Sequence, residues 1–240
     1  MVSKNQIKRI TSFQQKKYRQ EHQMFIAEGV KVIQELLQSN FVLEHLFITK
    51  IIFENVSIAQ KTMVNEQYMK RISALSSPSS CLAIFKIPAV NKIENKGLII
   101  ALDDIRDPGN LGTIIRLCDW FGVKQVLCSQ ETVDVYNPKV IQATMGSIAR
   151  VNVNYVDLNA YLSKSILPAF GTFMDGENLY KADLPKEAIL ILGNEANGIS
   201  SSLEKIIKTR IAIPRFGDIQ QTESLNVATA TAIFLSEFRR

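Results

Sequence analysis

Histidine is nearly missing from this sequence. Only His22 and His45 occur, and neither lies in a motif. An imidazole-based catalytic triad or a histidine-rich metal site therefore has almost nothing to be built from, and both side chains read as surface or half-buried. Cysteine is scarce too. Cys81, Cys118 and Cys128 form an odd set with no close pair, so zinc-ligand spacing is absent and a reducing, cytoplasmic setting is expected. Cys118 and Cys128 sit in apolar runs and read as small core residues. No metal site is expected. No apolar run approaches a membrane span, and Met1 to Gln20 carries no apolar segment of the signal-peptide kind. No membrane association is expected. A Gly-Lys-Ser or Gly-Lys-Thr phosphate loop is lacking, and no glycine triplet of dinucleotide-binding spacing follows the first strand. Internal repeats and low-complexity segments are also missing.

Acid is absent from residues 1–20, which carry Lys4, Lys8, Arg9, Lys16, Lys17 and Arg19. This run suits phosphate contact or a solvated helix face. The whole chain of 240 residues has a net charge of +5, a mild lean toward a polyanionic partner. With 46% hydrophobic and 21% charged residues it can bury a core as one large domain or two small ones.

Along the chain, Met24–Glu28 reads as a strand closed by Gly29, and Val30–Gln38 as a helix with an apolar stripe at Val32, Ile33, Leu36 and Leu37. Leu46–Ile48 and Ile51–Phe53 read as strand pieces, Tyr68–Leu75 as a short helix and Cys81–Phe85 as a strand. Residues 1–90 make a small α/β module, and polar residues 91–97, ending in Gly97, a linker. From 98 to 240 strands and helices alternate at short loops, predicting a parallel sheet covered on both faces. Its strands are Leu98–Leu102, Gln125–Cys128, Arg150–Val156, Phe170–Met174, Glu187–Leu192 and Arg210–Pro214. Helices are expected over Leu111–Phe121, from Asn137-Pro138 to about Gly146, after a Ser201–Glu204 capping box, and from Ser224 to the end.

Three strand-end loops stand out. In the first, Asn110-Leu111-Gly112-Thr113-Ile114-Ile115-Arg116, Gly112 and Arg116 are four apart and share a helix face, leaving room for a substrate backbone beside a permanent cation. The plain alternative is a capped helix with a surface arginine. The second, Leu192-Gly193-Asn194-Glu195-Ala196-Asn197-Gly198, has two glycines that permit a close backbone approach, or a simple strand-to-helix turn. In the third, Ile213-Pro214 is followed by Glu223-Ser224-Leu225-Asn226-Val227-Ala228. There Ser224 caps the last helix, and Asn226 falls in its first turn, where its side chain can face a cleft.

In this order and at these strand ends, the three loops resemble the SPOUT class of RNA methyltransferases, and within it the SpoU/TrmH family of ribose 2′-O-methyltransferases. Met145-Gly146-Ser147-Ile148-Ala149-Arg150 is similar to the family's middle region, and Phe25-Ile26-Ala27-Glu28-Gly29-Val30 more loosely to its RNA-binding domain. The resemblance implies an α/β fold: a C-terminal parallel-sheet SPOUT domain with a deep trefoil knot, preceded by a small α/β RNA-binding domain. It implies S-adenosylmethionine held by backbone groups of Gly193, Ile213 and Leu225, with Thr172, Asn194 and Gly198 around it. It implies Arg116, Asn110, Glu195, Ser224 and Asn226 as catalytic residues and a homodimer with Arg116 open to the partner's site; from the basic run, Lys8, Arg9, Lys16, Lys17 and Arg19 are expected as RNA contacts. Ribosomal RNA is expected ahead of transfer RNA. The competing readings are a non-catalytic RNA-binding protein on the same fold and a methyltransferase acting on a base nitrogen.

Overall fold

The computed structural model describes residues 3–90, 92–217 and 224–240. Asn91, first residue of the expected linker, and Glu223, in the third loop, lie outside the described residues. The chain runs α1 (Lys4–Ser12), α2 (Lys16–His22), β1 (Met24–Glu28), α3 (Val30–Leu37), β2 (Leu43–Ile48), β3 (Lys61–Met63), α4 (Glu66–Ile72) and β4 (Cys81–Lys86). It continues through β5 (Leu98–Leu102), α5 (Pro108–Trp120), β6 (Gln125–Cys128), α6 (Pro138–Thr144), β7 (Asn152–Tyr155) and α7 (Leu158–Lys164). The last elements are β8 (Ala169–Asn178), β9 (Ala188–Leu192), α8 (Ser201–Glu204), β10 (Thr209–Ala212) and α9 (Val227–Phe238).

Two compact units result. One joins Met1–Ala89 to Asp134–Ala149, and the other joins Val90–Val133 to Arg150–Arg240. The segment 134–149, read from sequence as part of the second domain, packs with the first unit. There, Tyr136 packs against Phe25 with ring centroids 4.8 Å apart, and α6 lies against β1.

The first unit holds a four-stranded sheet in the order β1-β4-β2-β3. One face buries Ile26, Phe47, Leu82 and Ile84 under Ile7 and Ile10 from α1, Phe13 just after it, and Met69 and Ile72 from α4. The apolar positions of α1 fall three apart, so they form one stripe while its cations stay in water. Ile51–Phe53, expected as a strand piece, is a loop: Ile51 is 79% exposed and Phe53 has a φ of +55°. Three apolar residues outside any sheet cannot form the ladder that defines a strand.

The second unit holds a six-stranded sheet, β10-β8-β9-β5-β6-β7, with every neighbouring pair parallel. Every residue of β5, β6 and β9 is buried, as expected for strands covered on both faces. One face receives Leu158 and Leu162 from α7 and Leu203 from α8 against Ile99, Ala101, Ile189 and Ile191. The alternate residues point to the opposite face, and α5 and α9 pack against each other. Gly122 closes α5 at φ +68°.

Two helix starts differ from expectation. The side chain of Ser200, not Ser201, stands at the cap position of α8 and makes no capping bond, while Glu204 is drawn to Arg210 at 2.7 Å. Asn226, not Ser224, caps α9, accepting hydrogen bonds from Ala228 N at 3.0 Å and Thr229 N at 3.2 Å. Asparagine and serine cap comparably well, so position relative to the core decides. Val227 is the first residue here to be buried, and the helix begins with it.

Candidate active site

The carboxyl ends of β5, β9 and β10 deliver the three loops to one edge of the parallel sheet. This is where open α/β sheets place their ligands. Asp107 caps α5 by accepting from Asn110 N at 2.8 Å, with Pro108 in the first turn, and this starts the helix so that Asn110 sits in its opening turn. Asn110 then reaches both other loops. Its Nδ2 donates to Glu195 Oε1 at 2.5 Å, and its Oδ1 accepts from Asn226 Nδ2 at 2.9 Å. Residues 85 and 116 positions away in sequence thereby become one polar relay, Asn226–Asn110–Glu195. Each asparagine amide is oriented by both of its ends, since the Oδ1 of Asn226 is held by the start of α9.

The loop after β9 is tied tightly. Asn194 and Gly198 exchange backbone hydrogen bonds of 3.0 and 2.8 Å. The Asn194 amide donates to Asp104 O at 2.8 Å, and its Oδ1 accepts from Ala196 N at 2.9 Å. The side chain of Asn194, only 9% exposed, thus builds the loop. Gly193 is required by space: a Cβ there would lie 2.2 Å from the Gly198 carbonyl carbon and the Ile199 nitrogen. Gly198 is required by conformation, with φ at +68°.

Two residues of this edge were not singled out from sequence. Buried Asp103 accepts from Ser200 N at 2.7 Å, which fixes the exit of the second loop. Asp104 takes a φ of +57° and offers its carbonyl to Asn194. Its N–H donates to Ser129 Oγ at 3.0 Å. The one available signal was an acid pair directly after an apolar strand. Paired acids there have structural work to do, because neither can stay in a covered sheet.

Thr172 is half-buried and its hydroxyl donates to Ile191 O at 3.1 Å. Ile213 and Pro214 line a cleft of about 390 Å³ with Met174 and Gly176. Leu225 is 46% exposed, and Ser224 is exposed beside it. Arg116 is exposed and stands outside the relay, with no hydrogen bond or ion pair to a described residue. Six positions after Asn110, it projects from a different side of α5. Among the described residues no cluster of His, Cys, Asp or Glu is placed to hold a metal ion, and no helix is long and apolar enough to cross a membrane.

On the first unit, Lys8, Arg9, Lys16 and Lys17 are exposed on α1 and α2. Arg19 is not an RNA contact. It is 1% exposed, its Nε donates to Asp134 Oδ2 at 2.9 Å, and its Nη1 donates to the carbonyls of Phe13 and Gln14, each at 2.9 Å. A buried guanidinium with all these acceptors holds the α1–α2 corner against the 134–149 segment, and a phosphate cannot reach it.

Residues 97–236 match the SpoU rRNA methylase family, and residues 4–83 match the MRM3-like substrate binding domain. A curated relative, the 23S rRNA (guanosine(2553)-2′-O)-methyltransferase RlmP of Bacillus subtilis, is 28% identical over 93% of this chain and 92% of its own. A solved structure of a TrmH-family RNA methyltransferase from Porphyromonas gingivalis is 40% identical, covers 100% of this chain and 98% of its own, and superposes with a TM-score of 0.90. An AdoMet-bound rRNA methyltransferase from Sinorhizobium meliloti is 28% identical, covers 100% and 96%, and gives 0.88. With the three loops meeting at one sheet edge and the match spanning most of the second unit, this chain belongs to the SpoU rRNA methylase family.

Proposed function

We propose that this chain is an S-adenosylmethionine-dependent enzyme that methylates a ribose 2′-hydroxyl of ribosomal RNA. The observation that carries the reading is the Asn226–Asn110–Glu195 relay joining three loops at one sheet edge. A protein that only binds RNA has no need of an oriented amide pair ending on a carboxylate. The relatives' substrates support ribosomal RNA over transfer RNA.

The residues present fit the cofactor. The Gly193–Gly198 turn leaves no room for a side chain at Gly193, Leu225 is exposed, and beside Ile213 and Pro214 lies a cleft of about 390 Å³, lined also by Met174, Asp175, Asn178 and Arg215, a size usual for small-molecule sites. When bound, S-adenosylmethionine supplies an electrophilic methyl group on a sulfonium centre. Gly193, Ile213 and Leu225 would hold it. The relay orients the ribose, with Glu195 accepting from a hydroxyl and Asn226 and Ser224 fixing its neighbour. Arg116 binds the adjoining phosphate and stabilises negative charge growing on the 2′ oxygen; its guanidinium stays protonated, so it acts by field and not as a base.

Arg116 serves the site of a second copy in a homodimer. Its exposure and the lack of a bond to the relay support this, and so does Trp120 one turn further on, an indole 84% exposed on the same side of α5. The path from β9 to α9 forms the family's knot, Lys8, Arg9, Lys16 and Lys17 contact RNA phosphates, and the enzyme works in the cytoplasm, in keeping with three buried free cysteines. Calorimetry with S-adenosylmethionine, paired with transfer of labelled methyl to ribosomal RNA, tests the reading. Binding together with transfer is expected. Cofactor binding without transfer to any RNA would leave only an RNA-binding platform.

A further inference from the structure

At the rim of the cleft beside the third loop stand two aromatic rings that the core does not use. Tyr180 is 44% exposed and Phe216 is 81% exposed, with ring centroids 6.4 Å apart and planes inclined by 36°. The position of Tyr180 is held from below. Tyr180 lies in the turn Leu179–Lys181, where Asn178 Oδ1 accepts from Tyr180 N at 2.9 Å and Leu179 is buried. That turn packs against α9, the helix capped by the relay residue Asn226. Phe216 follows Ile213, Pro214 and Arg215, all on the cleft wall, and Asn178 lines the same cleft. Lys181 and Arg215, the sequence neighbours of the two rings, are exposed.

We propose that Tyr180 and Phe216 form a stacking platform for an unpaired nucleobase of the RNA substrate, next to the nucleotide whose ribose is methylated. A phenyl ring 81% exposed adds little to the core, whereas every base has a face that stacks on it. Bases reach such rings only when the RNA is single-stranded or splayed open, which presentation of one 2′-hydroxyl to a sheet-edge site also requires. Flanking cations favour a polyanion over an apolar protein surface. The assignment rests on the function proposed above and names the part of the RNA that this rim reads.

Phe216→Ala, Tyr180→Ala and Phe216→Trp decide the matter, with a fluorescent oligoadenylate as the probe across a salt series. Stacking predicts a loss of about 5- to 100-fold in affinity for each alanine variant and recovery with tryptophan. The slope of log affinity against log salt should not change, because no phosphate contact is lost. S-adenosylmethionine affinity and sedimentation should match the wild type. Unchanged oligonucleotide affinity, a changed salt slope, weaker cofactor binding or a shifted oligomeric state would each overturn the platform, the last two by handing the rings to the cofactor or to a second copy. Wild-type protein that binds the probe through these rings but transfers no methyl to ribosomal RNA would refute the function and leave the stacking site standing.

Discussion

Asn226 does two jobs with one side chain. Its oxygen caps α9 and its nitrogen orients Asn110. Serine can perform the first and is too short for the second. Asn226→Ser is therefore expected to stay within about 1 kcal/mol of the parent in stability while kcat falls about 100-fold, the usual scale for a lost orienting contact. Paired unfolding curves and single-turnover rates read this out; an equal fall in both, or full activity, would break the assignment. Glu28 is a second residue whose surroundings set its behaviour. It is 4% exposed, and burial raises its pKa above the ordinary 4.5 against opposing hydrogen bonds from Ser73 Oγ and Ala74 N. With the folded pKa the higher one, its contribution to stability is full below pH 4.5 and declines as pH rises through the folded value. Glu28→Gln should flatten that part of the stability–pH curve and leave the melting temperature near pH 7 equal or higher. A steeper curve in the variant would contradict the burial argument.

Among the elements, the loop after β9 is set by two glycines with different reasons. Gly193→Ala would drive a methyl group into the backbone of Gly198 and Ile199, which no side-chain rotation relieves. A cost of about 1–3 kcal/mol is expected, together with weaker S-adenosylmethionine binding, both measurable by calorimetry. Unchanged cofactor affinity would take this loop out of the cofactor site. The strands of the second unit were legible because a strand covered on both faces is a bare apolar run, as in Ile189 to Leu192. The helix α7 was not, since only Leu158 and Leu162 in it are buried and the rest reads as polar loop. Ser224 and Asn226 are both good caps, and local sequence has no means to choose between them. Arg19 looked like one more surface cation because Asp134, its partner, is 115 positions away. The three loops could be read as glycine- and asparagine-bearing turns, but the bonds that join them cross 85 and 116 positions and belong to the tertiary structure.

For the whole molecule, the proposed mechanism draws Arg116 from a second copy of the chain. Arg116→Ala and Asn226→Ala should each be inactive. Mixed and allowed to exchange subunits, they should recover about a quarter of wild-type activity, since half the dimers are mixed and each of those has one intact site. No recovery after proven exchange would place Arg116 in its own chain's site. Whether such sites methylate ribose on ribosomal RNA is decided most directly in cells. Ribose 2′-O-methylation mapped across total RNA, with and without this protein, should lose signal at a ribosomal RNA nucleotide and regain it with the wild type but not with Asn226→Ala. A ribose map that is unchanged, above all beside a missing base methylation, would contradict the account.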